Sequence, residues 1–108
     1  MKIGILGGTF NPVHIGHLIL AEEALEKLGL NKIIFMPACL PPHKENIDIA
    51  APNERLKMVK LAIKGNKKFI VSDIEIKRAG RSYTVDTVRE LKKRSPKDEF
   101  YFIIGSDL

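Results

Sequence analysis

What most constrains the fold of this chain is the run Gly7-Gly8-Thr9-Phe10-Asn11-Pro12-Val13-His14-Ile15-Gly16-His17-Leu18, set directly behind Ile3-Gly4-Ile5-Leu6. The apolar stretch reads as a short buried strand. Two glycines then permit a sharp turn and let a ligand come close to the backbone. Asn11-Pro12 suits an N-cap and a first helical turn, so a helix is expected to start there. Strand, Gly-rich turn and helix N-terminus together form an anion site, because backbone N–H groups point at the ligand. His14 and His17, three residues apart, share one face of that helix. Backbone donors and two imidazoles suit a phosphate undergoing displacement. The segment predicts phosphate chemistry.

Strand and helix signals alternate through the rest of the chain. Leu18, Ala21, Leu25 and Leu28 follow helical spacing up to a stop at Gly29, and counting back places both histidines on that apolar face. The helix therefore overhangs the carboxyl edge of the sheet, where open α/β sheets bind ligands. Ile33-Ile34-Phe35-Met36 is a second strand, and a proline-rich loop from Pro37 to Ala51 follows it, a length that is often functional. Glu54 to Lys64 is a second helix with Leu56, Val59 and Ile63 inward, closed by Gly65. Phe69-Ile70-Val71 is a third strand, and Ile74 and Ile76, alternating with charges, suggest an extended edge segment. Thr84 to Arg94 is a third helix with Val85, Val88 and Leu91 inward, and Phe100 to Ile104 is a fourth strand. This pattern predicts a Rossmann-like, doubly wound α/β fold with a parallel sheet and right-handed crossovers. Leu108 falls where a further helix should begin. Residues 1–108 are therefore expected to be the N-terminal part of a single domain, truncated after the fourth strand.

Composition narrows the class. At 108 residues the chain holds at most one domain, and its longest apolar stretches are far too short to span a bilayer. Cys39 stands alone, which excludes an internal disulfide and fits a reducing cytoplasm. The net charge of +5 comes largely from scattered lysines such as Lys57, Lys60, Lys64, Lys67, Lys68, Lys92, Lys93 and Lys97. With two Tyr and no Trp, no base-stacking platform is evident. The balance reads as a solvated surface that favours anionic nucleotides, with neither nucleic acid nor membrane as partner.

The first run resembles the signature of the nucleotidylyltransferases, Gly-Gly-x-Phe-Asp-Pro-x-His-x-Gly-His, with Asn11 where Asp is common. Its His-x-Gly-His tetrad also occurs in class I aminoacyl-tRNA synthetases. Three further segments, Pro41-Pro42-His43-Lys44, Ser82-Tyr83-Thr84-Val85-Asp86-Thr87 and Gly105-Ser106-Asp107, lie at or just past the carboxyl sides of strands. Together with Glu54-Arg55-x-x-Met58 they resemble the bacterial nicotinate-nucleotide adenylyltransferases, from Lys2 to the last residue. The phosphopantetheine adenylyltransferases share only the first signature and are the alternative. A second family signature near Ser-Thr-x-x-Arg is absent from the chain.

The resemblance implies adenylyl transfer from ATP to nicotinate mononucleotide, giving deamido-NAD and pyrophosphate in a cytoplasmic enzyme. It implies His14 and His17 as catalytic residues. Gly7, Gly8, Thr9, Phe10, His14, His17, Lys44, Gly105 and Asp107 would bind ATP. Thr9, Asn11, Lys44, Ser82, Tyr83 and Thr84 would bind nicotinate mononucleotide. Mg²⁺ would arrive with ATP, held by substrate and water as its chemistry prefers. Each segment also has an ordinary reading. Pro41-Pro42 stiffens a loop, His43-Lys44 is a solvated pair, and Ser82, Thr84 and Asp107 are good helix caps. Two other classes stay open: a nucleotide-binding fragment without turnover, and a metal site from His14, His17 and His43, which has no acidic or cysteine ligand nearby in sequence. Self-association into a homo-oligomer is also left open.

Overall fold

The computed structural model describes residues 1–39, 49–78 and 84–103. Its elements are β1 (Lys2–Gly8), α1 (Ile15–Lys27), β2 (Lys32–Pro37), α2 (Pro52–Ile63), β3 (Phe69–Val71), α3 (Ile74–Arg78), α4 (Thr84–Arg94) and β4 (Glu99–Ile103). All four strands are parallel, in the order β3-β2-β1-β4, with Ile5 opposite Ile34 on one side and Phe102 on the other. The chain thus moves outward from β1 to β3 and then returns to place β4 on the far side of β1. That reversal makes the carboxyl end of β1 the topological switch point, the place where such sheets bind ligands.

Alternation along the strands divides the core in two. Leu6, Ile33, Phe35 and Phe69 pack with Ala21 and Leu25 of α1 and Val59 and Ile63 of α2. Ile3, Ile5, Ile34 and Met36 pack with Ile74 of α3 and Leu91 of α4 on the opposite face. Covered on both faces, β1 and β2 need continuous apolar runs, which is how they read. The predicted Rossmann-like, doubly wound α/β architecture is what the chain adopts. β4 is less enclosed: Tyr101 and Ile103 lean on the first cluster and Phe100 on the second, while Phe102 stays 37% exposed.

α1 ends where Gly29 turns left-handed at φ 60, and the Leu30 N–H closes the helix by donating to the Leu25 carbonyl at 3.0 Å. Leu30 then drops into the core beside Gly4, where a Cβ would lie 2.8 Å from Leu30 Cδ1 and 2.6 Å from Ile33 Cδ1. Gly4 is the gap that lets the end of α1 seat on the sheet. Gly65, at φ 92, follows α2 as expected.

Four expectations from spacing are corrected. The first helix does not start at Asn11-Pro12, which form a turn; its cap is His14. Leu28, the cap at its other end, is exposed, because the helix has already begun to close. Ile74 to Arg78 is a short helix, α3, rather than an extended segment. Apolar–charged alternation over so few residues fits either form, and burial of Ile74, with its N–H donating to Ser72 Oγ, selects the helix. On α4 the buried line runs through Thr87 and Leu91, leaving Val85 exposed. Thr87 can be buried because its hydroxyl donates to Glu75 Oε2 at 2.6 Å and accepts from Arg78 Nη2 at 2.7 Å, both on α3.

Candidate active site

The segment between β1 and α1 builds the site. Gly7 and Gly8 continue β1, paired with Met36 and Pro37, so the turn does not fall on them. Phe10 makes it instead, at φ 51, in the left-handed region that non-glycine residues seldom occupy. Its ring is driven into the core. It meets the His17 ring edge-to-face at 4.9 Å and the Phe35 ring at 6.0 Å. Gly7 is exposed, with nothing within 4 Å of where a Cβ would stand, so the backbone there is open to a ligand.

His14 sits in extended geometry as the N-cap of α1. The Gly16 N–H donates to His14 Nδ1 at 3.1 Å, and the His14 N–H donates to His17 Nδ1 at 2.9 Å. This is a capping box in which both side chains are imidazoles. A backbone N–H can only donate, so each Nδ1 must offer a lone pair and each ring carries its proton on Nε2. The two rings lie with centroids 3.9 Å apart, His14 exposed and His17 6% exposed. Gly16 makes this possible: a Cβ there would lie 2.8 Å from His14 Cε1. The first turn of α1 itself contains no acidic residue to offset the positive end of its dipole. Two oriented imidazoles at a helix N-terminus whose first turn carries no acidic residue can meet a polyanion.

Of the residues expected in the site, the structure gathers Gly7, Gly8, Thr9, Phe10, Asn11, His14 and His17 into this one segment. Phe10 can offer a ligand only its backbone, since its ring is buried. Asn11 is not the helix cap; its Oδ1 accepts from the Ala50 N–H at 3.0 Å, joining the turn to the start of α2. Lys44, Ser82, Tyr83, Gly105 and Asp107 lie outside the described residues, as does His43. Of Thr84, only its place at the start of α4 is described.

Arg55 entered the sequence reading only as part of the Glu54-Arg55-x-x-Met58 segment, with no role assigned to it. It is 0% exposed on α2, and its guanidinium reaches back beneath the loops. Nε donates to the Ala50 carbonyl at 2.8 Å. Nη1 donates to Thr9 at 2.8 Å and Ala38 at 2.6 Å, and Nη2 to Cys39 at 2.9 Å. Burial pushes its pKa below the ordinary guanidinium value, and the neighbouring Cys39 thiol opposes that shift. The signal available beforehand was position: Arg55 is four residues before Val59 and eight before Ile63, on the apolar stripe of α2.

Among the described residues no three His, Cys, Asp or Glu groups gather around a metal position. A separate open cavity of about 220 Å³ lies between α3 and α4, lined by Asp73, Lys77, Arg78, Glu90 and Arg94. Its cations are engaged: Lys77 with Asp73, Arg94 with Glu90, and Arg78 with Thr87. It offers an anion much less than the first turn of α1 does.

Known proteins are similar to this chain. A Geobacillus thermodenitrificans protein named probable nicotinate-nucleotide adenylyltransferase is 51% identical over 107 residues, covering 99% of this chain and 50% of that protein. A Bacillus licheniformis protein of the same name is 54% identical, covering 99% of this chain and 57% of its own length. Among solved structures, the Plasmodium falciparum nicotinic acid mononucleotide adenylyltransferase complexed with NaAD superimposes with a TM-score of 0.82 at 22% identity, covering 99% of this chain and 53% of that one. At that identity the likeness is one of fold. The chain spans about half the length of the curated relatives it matches. Residues 5–108 match the cytidylyltransferase-like family over nearly the whole sequence, and the chain belongs to that family.

Proposed function

We propose that this chain supplies the phosphate site of an enzyme that transfers the adenylyl group of ATP to nicotinate mononucleotide, releasing deamido-NAD and pyrophosphate in NAD biosynthesis. The observation that carries the reading is the pair of backbone-fixed imidazoles at the start of α1. The names of relatives at about half identity support the choice of substrates.

In this reading a phosphate oxygen of nicotinate mononucleotide attacks the α-phosphorus of ATP. The new O–P bond forms as the bond to the bridging α,β-oxygen breaks, and that oxygen leaves with pyrophosphate. Such a transfer asks the protein for positioning and electrostatic stabilisation rather than covalent work. The Nε2–H groups of His14 and His17 meet the charge that grows toward the leaving group. Gly7 and Gly8 leave the backbone open to the phosphates, and Mg²⁺ enters bound to ATP. Lys44, Gly105 and Asp107 complete the ATP contacts. Thr9, Asn11, Lys44, Ser82, Tyr83 and Thr84 bind the mononucleotide, with Thr84 hydrogen-bonded to its carboxylate. The location we assign is the cytoplasm, in keeping with a single cysteine.

A second reading, nucleotide binding without turnover by residues 1–108 alone, is favoured by the half-exposed β4 beside β1. One assay separates the two. The protein is incubated with Mg²⁺-ATP and either nicotinate mononucleotide or phosphopantetheine, and dinucleotide and pyrophosphate are quantified. The proposal predicts equimolar dinucleotide and pyrophosphate with the mononucleotide and none with phosphopantetheine. Saturable ATP binding with no product supports the second reading, and product from phosphopantetheine overturns the assignment of substrate.

A further inference from the structure

We propose that Arg55 is a positioning residue of the phosphate site, fixing the segment after β1 against the carboxyl end of β2 through the Thr9, Ala38 and Cys39 carbonyls. The inference rests on the proposed function only in naming what is positioned. The four acceptors come from three stretches of chain: Thr9 from the signature segment, Ala38 and Cys39 from the end of β2, and Ala50 from the approach to α2. Four of the five guanidinium N–H donors are used, and every partner is a backbone carbonyl.

Packing alone does not account for this residue. Its stripe on α2 otherwise buries Val59 and Ile63, and an apolar side chain there would avoid the cost of taking a cation out of water. What an apolar residue lacks is a rigid planar fork that sets three loops at fixed separations. Lysine lacks it too, since its donors radiate from one nitrogen on a flexible stem. The Thr9 carbonyl joins directly to the Phe10 nitrogen, and Phe10 carries the left-handed turn and the ring on which His17 rests. A shift at Thr9 is therefore passed to the imidazole pair. Asn11 Oδ1, bound to the Ala50 N–H, ties the same two stretches a second time.

The test compares Arg55→Lys with Val59→Ala, a core truncation on the same helix whose side chain makes no hydrogen bond to these loops. Melting temperature, ATP dissociation constant, adenylyl-transfer efficiency and backbone-amide resonances are measured for each and for wild type. Arg55→Lys is expected to displace the Gly8, Thr9, Phe10 and His17 amides and weaken ATP. Adenylyl-transfer efficiency should fall on the order of 100-fold, the scale of an ångström-sized misplacement. Val59→Ala should lower the melting temperature while leaving those resonances and the ATP affinity as in wild type. If wild type forms no product, the assignment of function has failed, and the amide shifts and ATP affinity still judge Arg55. If Arg55→Lys does not fold, wild type decides. Separately resolved Arg55 Hη resonances that move on ATP addition support the proposal, and a single averaged resonance indifferent to ATP overturns it. It is likewise overturned if Arg55→Lys and Val59→Ala lose stability alike with ATP affinity and the Gly8–His17 amides unchanged.

Discussion

His14 and His17 form the capping box of α1, and in the proposed function the same two rings donate to phosphate, so that the first task prepares the second. With each Nδ1 occupied by a backbone N–H, each ring carries its Nε2–H in a fixed direction. Gly16 is the residue on which this depends, because a methyl group there collides with the His14 ring. Gly16→Ala should therefore separate stability from activity. Losing the His14 cap costs about 0.5–2 kcal/mol, and replacing a helical glycine by alanine returns up to about 1 kcal/mol. The melting temperature should move by only a few degrees while adenylyl transfer falls about 100-fold, as when one oriented donor is lost. A thermal melt and an initial-rate assay on the same preparation check this. The histidines and their spacing were legible in the sequence. The Nδ1 lock was not, because it depends on a helix that starts at Ile15 rather than at Asn11-Pro12.

At the scale of elements, α3 is where pattern and structure part. Glu75 and Arg78, three residues apart on α3, both reach the Thr87 hydroxyl on α4, which makes a threonine the centre of a helix–helix contact. Thr87→Val keeps the shape and removes the hydroxyl, leaving Glu75 and Arg78 partly buried without it. That should cost about 1–3 kcal/mol, read as a lower denaturation midpoint at unchanged slope. A loss within error of zero would show that the contact is incidental. β1 and β2 were readable as apolar runs because burial there follows side-chain hydrophobicity, and the extent of α4 was readable from helical spacing. Thr87 and Arg55 were not, since each is buried by virtue of hydrogen-bond partners far along the chain. The inward assignment of Val85 failed for the same reason.

Taken whole, the sheet is firmest at its centre. β1 is flanked by β2 and β4 and covered on both faces, whereas among the described residues β3 and β4 each have a partner on one side only. Phe35→Ala, at a fully buried position of β2, should cost about 3–5 kcal/mol. Phe102→Ala on β4 should cost well under that, because its ring is already partly in water. Urea titration of the two variants tests the gradient, and equal losses would contradict it. The firm centre ends at the segment from Gly7 to His17, so the proposed phosphate site stands at the end of a strand covered on both faces. Its central claim is tested most directly by titrating the chain with Mg²⁺-ATP and following every backbone amide, in wild type and in His17→Ala. The prediction is saturable shifts centred on Gly7 to His17, and much weaker binding in His17→Ala with the remaining spectrum preserved. Shifts centred on Lys77, Arg78 and Arg94 instead, or equal binding by the two proteins, would contradict it.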